Sequence, residues 1–197
     1  MRAFIVILLS YLIGSFSSAY FLGKMSKNID IRSYGSGNAG ATNALRVLGK
    51  KMGALTFFLD FIKGIIAVFI GTAIFGFTGS LLAGIFVVLG HNWPLFLGFK
   101  GGKGIATSFG VLLALNWQTA LLCFLIGALV IIITRYVSLG SIIAAIAAPI
   151  IIVLTTQTID KYLYITIVIL ASLSVSRHKA NILRLCKGEE NRLGNNR

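Results

Sequence analysis

Acids are what this 197-residue sequence lacks most: five Asp and Glu stand against 18 Lys and Arg, a net charge of +13. Charged residues make up 12% of the chain and hydrophobic ones 57%, whereas a soluble domain carries roughly 25% charge. The polar stretches described below hold only Asp30, Glu189 and Glu190 as acids, so chemistry built on paired carboxylates is excluded. No H-x-x-x-x-D, H-E-x-x-H or G-x-S-x-G motif occurs, and no D-x-x-D-G cluster. Those absences leave no acyltransferase dyad, no metal site and no serine nucleophile. Two cysteines, Cys123 in an apolar run and Cys186 in the basic tail, suit neither a disulfide nor a metal spacing. Runs such as GALVIIIT and APIIIVL lack the alternating polarity of a barrel strand. No internal repeat is visible, which weakens an inverted-repeat transporter. The cations are scattered over short segments instead of forming one stripe, which argues against nucleic acid.

What the chain does have is apolar runs near 3–23, 53–76, 79–97, 104–116, 117–135, 138–156 and 160–178. A helix of about 20 residues crosses a bilayer core of about 30 Å; the fourth run is short and suits a partial or tilted span. Lysine and arginine collect on the cytoplasmic side of membrane proteins. With seven crossings and an outer N-terminus, the inner stretches hold Lys24, Lys27, Arg32, Arg46, Lys50, Lys51, Lys100, Lys103, Arg135, Arg177, Lys179, Arg184, Lys187, Arg192 and Arg197. Only Arg2 and Lys161 fall outside, and Lys63 lies within a span. One cation precedes the first run and two follow it, the reverse of a secretory signal, so an uncleaved helix is expected. The expectation is one all-α membrane domain over 1–197 with about seven helices, its C-terminus inside and a basic cytoplasmic tail at 179–197.

On that topology every polar, glycine-bearing stretch lands on one face: 30–51, 98–107, 134–141 and 176–191. The first contains G-x-G-x-x-G at Gly35, Gly37 and Gly40. No strand precedes it, so a dinucleotide fingerprint is excluded. Glycines can still turn backbone N–H groups toward one anion. Ser36, Asn38, Thr42 and Asn43 add donors, and Arg46 adds a fork suited to phosphate; the alternative is a tight interfacial loop. In the second, GFKGGKG, Gly104 stands where Walker A needs Ser or Thr. What remains is close approach at the glycines, charge from Lys100 and Lys103, and a helix start near 104. The alternative is a pair of snorkelling lysines.

Within the runs, Asp60 and Lys63 lie three apart on one helix face, and the spacing lets them satisfy each other. Trp93 reads as an interface anchor and Pro94 as a kink, and His91 and Asn92 either line the site or make structural hydrogen bonds. His178, Asn181 and Arg184 recur at three-residue spacing after the last run, where a titrating imidazole can bind phosphate or move a proton; the alternative is a basic amphipathic tail on anionic lipid.

Taken together, SGNAGATNALRVLGKKMG, GHNWPLFLGFKGGKGIAT, TRYVSLGSI and RHKANILRLCKGEEN resemble the PlsY family, the bacterial acyl-phosphate-dependent glycerol-3-phosphate acyltransferases, over nearly the whole chain. The last block departs slightly: the family commonly reads G-T-E where this chain has Gly188-Glu189-Glu190, so Glu190 takes the acidic position. The resemblance implies a multi-pass plasma-membrane (inner-membrane) enzyme with a cytoplasm-facing site. It would transfer a fatty acyl group from acyl phosphate to the 1-hydroxyl of glycerol 3-phosphate, the first step of phospholipid synthesis. No coenzyme A, acyl carrier protein, cofactor or metal is implied. Catalytic roles fall to Ser36, Arg46, Lys103, His178 and Asn181. Substrate binding falls to Gly37, Asn38, Gly40, Thr42, Asn43, Lys100, Gly101, Gly102, Gly104, Thr107 and Ser141. The base is a substrate phosphate, with His178 the alternative. The rival function is a small transporter or channel for a phosphorylated anion.

Overall fold

The computed structural model describes residues 1–194, and no strand occurs among the described residues. Arg197, counted above with the inner cations, lies outside the described residues. The chain forms two compact units, Met1–Leu115 and a second that begins at Asn116.

The first unit holds α1 (Arg2–Ser15), α2 (Ser18–Lys27), α3 (Ala41–Leu48), α4 (Lys50–Asn92) and α5 (Ile105–Leu115). Its opening run, expected as one helix over 3–23, is two. Phe16 and Ser17 are extended, and the Ser17 hydroxyl accepts from Tyr20 N at 3.4 Å as the cap of α2. At the far end of α2, Lys24 and Lys27 oppose the negative end of the helix dipole. The long α4 breaks at Phe75 and Gly76. Gly76 sits at φ +59°, ψ −149°, a conformation essentially reserved for glycine, so the break falls where the two runs were expected to part. The second half of α4 ends at Asn92 instead of 97. Pro94 corrects the expected kink: with no N–H to continue the ladder, it follows the helix end by two residues and begins the 3-10 turn Leu95–Leu97.

Small residues let these helices approach closely. A side chain at Gly14 would strike the backbone of Val87 and Gly90, and one at Gly110 would strike the Phe61 carbonyl. Helix α1 thus packs on the second half of α4, and α5 on the first half and, at Gly84, on the second.

The second unit holds α6 (Trp117–Thr134), α7 (Val137–Thr155) and α8 (Lys161–Arg177), within about two residues of the expected runs, and α9 (Lys179–Cys186), a short helix in the stretch expected as a basic tail. Asn116 caps α6 through Thr119 N at 2.9 Å. Asp160 caps α8, accepting from Tyr162 N at 2.8 Å and Leu163 N at 2.9 Å. Both caps are side chains that satisfy otherwise orphaned first-turn N–H groups.

Large apolar side chains point outward in both units, among them Phe69 at 65% exposure and Leu154 at 79%. Such surfaces suit lipid and not water. Among the described residues, four stretches are long and apolar enough to cross a membrane: Arg2–Lys27, Lys50–Leu97, Trp117–Thr134 and Val137–Thr155.

Candidate active site

The loop between α2 and α3 is built on two side chains. Asp30 accepts from Arg32 in a forked pair, Nη2 to Oδ2 at 2.7 Å and Nε to Oδ1 at 3.0 Å. That guanidinium hydrogen bond holds the Asp30 carboxyl below its ordinary range and raises Arg32. Arg32 also donates Nη1 to the Leu97 carbonyl at 2.7 Å. One arginine therefore ties the first glycine loop to the turn that leads into the second.

The other side chain is Asn43. It is 1% exposed, and its amide donates to the carbonyls of Ile31 (3.1 Å) and Tyr34 (3.0 Å) while its oxygen accepts from Ser36 N at 2.8 Å. Asn43 is thus a brace and not a ligand-facing donor, which corrects the expectation for it. Two amides of the expected nest are engaged as well. Ser36 N is taken by Asn43, and Gly37 N donates to Tyr34 O at 3.1 Å. Ser36 is exposed, as are Ser33 and Tyr34 beside it, and so, one turn into α3, is Arg46. Arg46 makes no ion pair among the described residues. Asn38, Gly40 and Thr42 lie between, half-buried.

The second loop folds back onto the end of α4. Gly101 N donates to Asn92 O at 3.3 Å and Gly102 N to His91 O at 3.1 Å. Gly101 and Gly102, expected to bind substrate by close approach, use their amides to fasten the loop. Their glycine character has a different cause: a Cβ on Gly101 would meet the His91 carbonyl, and one on Gly102 would meet the His91 ring at Nε2. Gly104, at φ +80°, makes the turn into α5. Lys100 is exposed and Lys103 half-buried. Thr107 was expected to line the site, yet it is 0% exposed and its hydroxyl has no partner among the described residues. It sits on the α5 face that packs against Gly64.

Beneath this loop is a buried polar cluster whose full extent the sequence did not disclose. The Lys63 ammonium lies 2.9 Å from Asp60 Oδ1, as their spacing allowed, and also 2.9 Å from His91 Nδ1. It donates besides to the Gly14 (3.2 Å) and Phe16 (2.8 Å) carbonyls, two acceptors freed where α1 stops. Ser18 donates to Asp60 Oδ1 at 2.9 Å.

In the second unit the acid at the motif position is a hub. Glu190 is 7% exposed, and its carboxylate accepts from Asn181 Nδ2 (2.7 Å), Arg184 Nε (2.8 Å) and Ser138 Oγ (3.0 Å). Arg184 is therefore partnered, and Asn181 is held by its amide nitrogen. His178, at the junction of α8 and α9, is buried, with Nδ1 2.7 Å from the Ser174 carbonyl. A carbonyl only accepts, so Nδ1 carries hydrogen and Nε2 is the end at which the ring exchanges a proton. Ser141 donates its hydroxyl to Val137 O at 2.9 Å within its own helix.

Apolar helices with outward-facing hydrophobic side chains, joined by cationic glycine loops, define an integral membrane protein of helices. The family model for glycerol-3-phosphate acyltransferases matches residues 4–188, and the chain belongs to that family. A glycerol-3-phosphate acyltransferase of Thermoanaerobacter sp. (strain X514) is 49% identical over 194 residues, covering 98% of this chain and 97% of its own. One of Clostridioides difficile (strain 630) is 44% identical, covering 96% and 95%. Among solved structures, the glycerol 3-phosphate form of PlsY, an integral membrane glycerol 3-phosphate acyltransferase, superposes with a TM-score of 0.92 at 40% identity, covering 98% of this chain and 96% of that one. Its lysophosphatidic acid form gives 0.90. The protein is an all-α integral membrane protein of the PlsY family.

Proposed function

We propose that this chain transfers a fatty acyl group from acyl phosphate to the 1-hydroxyl of glycerol 3-phosphate, giving lysophosphatidic acid and inorganic phosphate. Neither coenzyme A nor acyl carrier protein takes part. The whole chain acts as one acyltransferase domain, with seven crossings of the plasma membrane, the N-terminus outside and the C-terminus and site on the cytoplasmic side. The observation that carries this reading is the Arg32 bridge to Leu97, which ties together two loops bearing Arg46, Lys100 and Lys103, as two phosphorylated substrates require.

The chemistry suits so few acids. In acyl phosphate the leaving group is already good, so the hydroxyl oxygen attacks the carbonyl carbon directly. The carbon–oxygen bond to phosphate then breaks, with no covalent enzyme intermediate. Lys103 and Arg46 stabilise charge as it builds on the carbonyl oxygen and the departing phosphate, and Ser36 hydrogen-bonds a phosphate. Alignment of the two reactants supplies much of the remaining acceleration. The hydroxyl proton goes to a phosphate oxygen, with His178 and Asn181 binding substrate.

Phosphate release from palmitoyl phosphate by the purified protein, with and without glycerol 3-phosphate, tests the reading. Release that depends on the acceptor is expected, and its absence overturns the proposal. His178→Gln separates the two candidate bases. If phosphate takes the proton, this variant keeps a measurable kcat with a raised KM and loses no limb of the pH–rate profile. A nearly silent enzyme transfers that role to His178 Nε2.

A further inference from the structure

We propose that Asp60, Lys63 and His91 are positioning residues for the Gly101–Lys103 loop, a buried strut that sets where the loop's lysine stands against a bound phosphate. The proposal rests on the reading of that loop as a phosphate cradle.

The hydrogen-bond geometry fixes the state of the imidazole. His91 Nδ1 is 2.9 Å from the Lys63 ammonium and 3.6 Å from Asp60 Oδ1, and only the first is a hydrogen-bond distance. An ammonium can only donate, so Nδ1 accepts and the ring hydrogen is on Nε2. The ring is pinned from behind by a lysine that is itself fixed by Asp60 and by two carbonyls at the end of α1. Asp60 in turn is held by Ser18, at the start of α2. The opposite edge of the ring, at Nε2, lies directly under Gly102, where even a methyl group would not fit.

The loop is fastened to the same two residues by backbone, through Gly101 N to Asn92 O and Gly102 N to His91 O. Its height over α4 is therefore set by a ring whose rotamer and tautomer the ion pair dictates. A pair needed only to neutralise itself in the membrane would not have to reach a third residue under a glycine. Misplacing a binding group by about 1 Å can cost about a hundredfold in rate, which makes such support consequential.

The test uses purified full-length protein, palmitoyl phosphate and sn-glycerol 3-phosphate, with glycerol 3-phosphate affinity measured by calorimetry beside KM, kcat and thermal unfolding. His91→Asn keeps an acceptor for Lys63, so no buried charge is stranded, but it removes the ring edge beneath Gly102. The expected result is a KM for one phosphorylated substrate raised about tenfold or more, with kcat within about threefold of wild type and the unfolding temperature unchanged. Gly102→Ala reads the same contact from the loop side and is expected to raise the same KM. Adding His91→Asn to it makes room for the methyl and returns KM to that of His91→Asn alone, a non-additivity expected only of coupled sites. Both KM values staying within about twofold of wild type in every variant that inserts, or losses that simply multiply in the double variant, overturns the proposal. Wild-type protein that neither binds glycerol 3-phosphate nor turns over would remove the cradle itself. Wild-type protein that does both, beside an unaffected His91→Asn, would overturn the strut alone.

Discussion

Arg46→Ala and Lys103→Ala each lower kcat/KM about 10²–10³-fold or more, the cost of removing a donor aimed at developing charge, and Arg46→Ala does so without a matching loss of stability. The contrast between arginines makes this a sharp expectation. Arg32 is held by Asp30 and Leu97 O, and Arg184 by Glu190, so truncating either disturbs the fold. Arg46 stands exposed on α3 with no carboxylate beside it among the described residues. Exposed substitutions of that kind usually change stability by less than about 0.5 kcal/mol. Phosphate release and thermal unfolding, measured on the same preparation, check both halves. Near-normal turnover in either variant removes the phosphate-cradle reading.

Glu190→Ala acts in the opposite way, through the fold first. It strands the buried amide of Asn181 and hydroxyl of Ser138 and frees Arg184. Each buried donor left unsatisfied costs about 1–3 kcal/mol, so a loss of about 2–4 kcal/mol is expected, with activity falling as Asn181 loses its anchor. Its neighbour supplies the control. The Glu189 side chain is exposed, and Glu189→Ala leaves activity and unfolding temperature at wild-type values. Equal effects of the two substitutions would show that Glu190 is no hub.

How much of this was legible beforehand depends on how local each cause is. Apolar runs announced α5 to α8 to within about two residues, because lipid-facing length is written in composition alone, whereas no apolar run announced the short basic α9. The break near Gly76 was legible as a dip in a long run. The break at Phe16 was missed. Gly14, Ser15, Ser17 and Ser18 are local helix-end and cap signals that sat unread inside one apolar run, and the carbonyls released there are met by a lysine 47 and 49 positions further on.

The glycine loops show the same division. That Gly35, Gly37, Gly101 and Gly102 mark special backbone was readable, and that Arg46, Lys100 and Lys103 carry the charge was readable too. Which loop amides stay available was not, since Asn43 and the carbonyls of His91 and Asn92 claim them through contacts made only on folding. Asp60 and Lys63 were recognised as mutual partners from their spacing, whereas His91, 28 residues from Lys63, could be joined to them only in three dimensions.

The dependence of α1 on Lys63 also sets an order of events during synthesis. When Phe16 and Ser17 leave the ribosome, the side chain that will satisfy the carbonyls at this break does not yet exist. At about 5–20 residues per second it follows a few seconds later. Until then an unpaired carbonyl in lipid is expensive, so the nascent Arg2–Lys27 segment is better served by one unbroken helix. Its division into two helices therefore depends on a side chain that only the second hydrophobic segment delivers beside it.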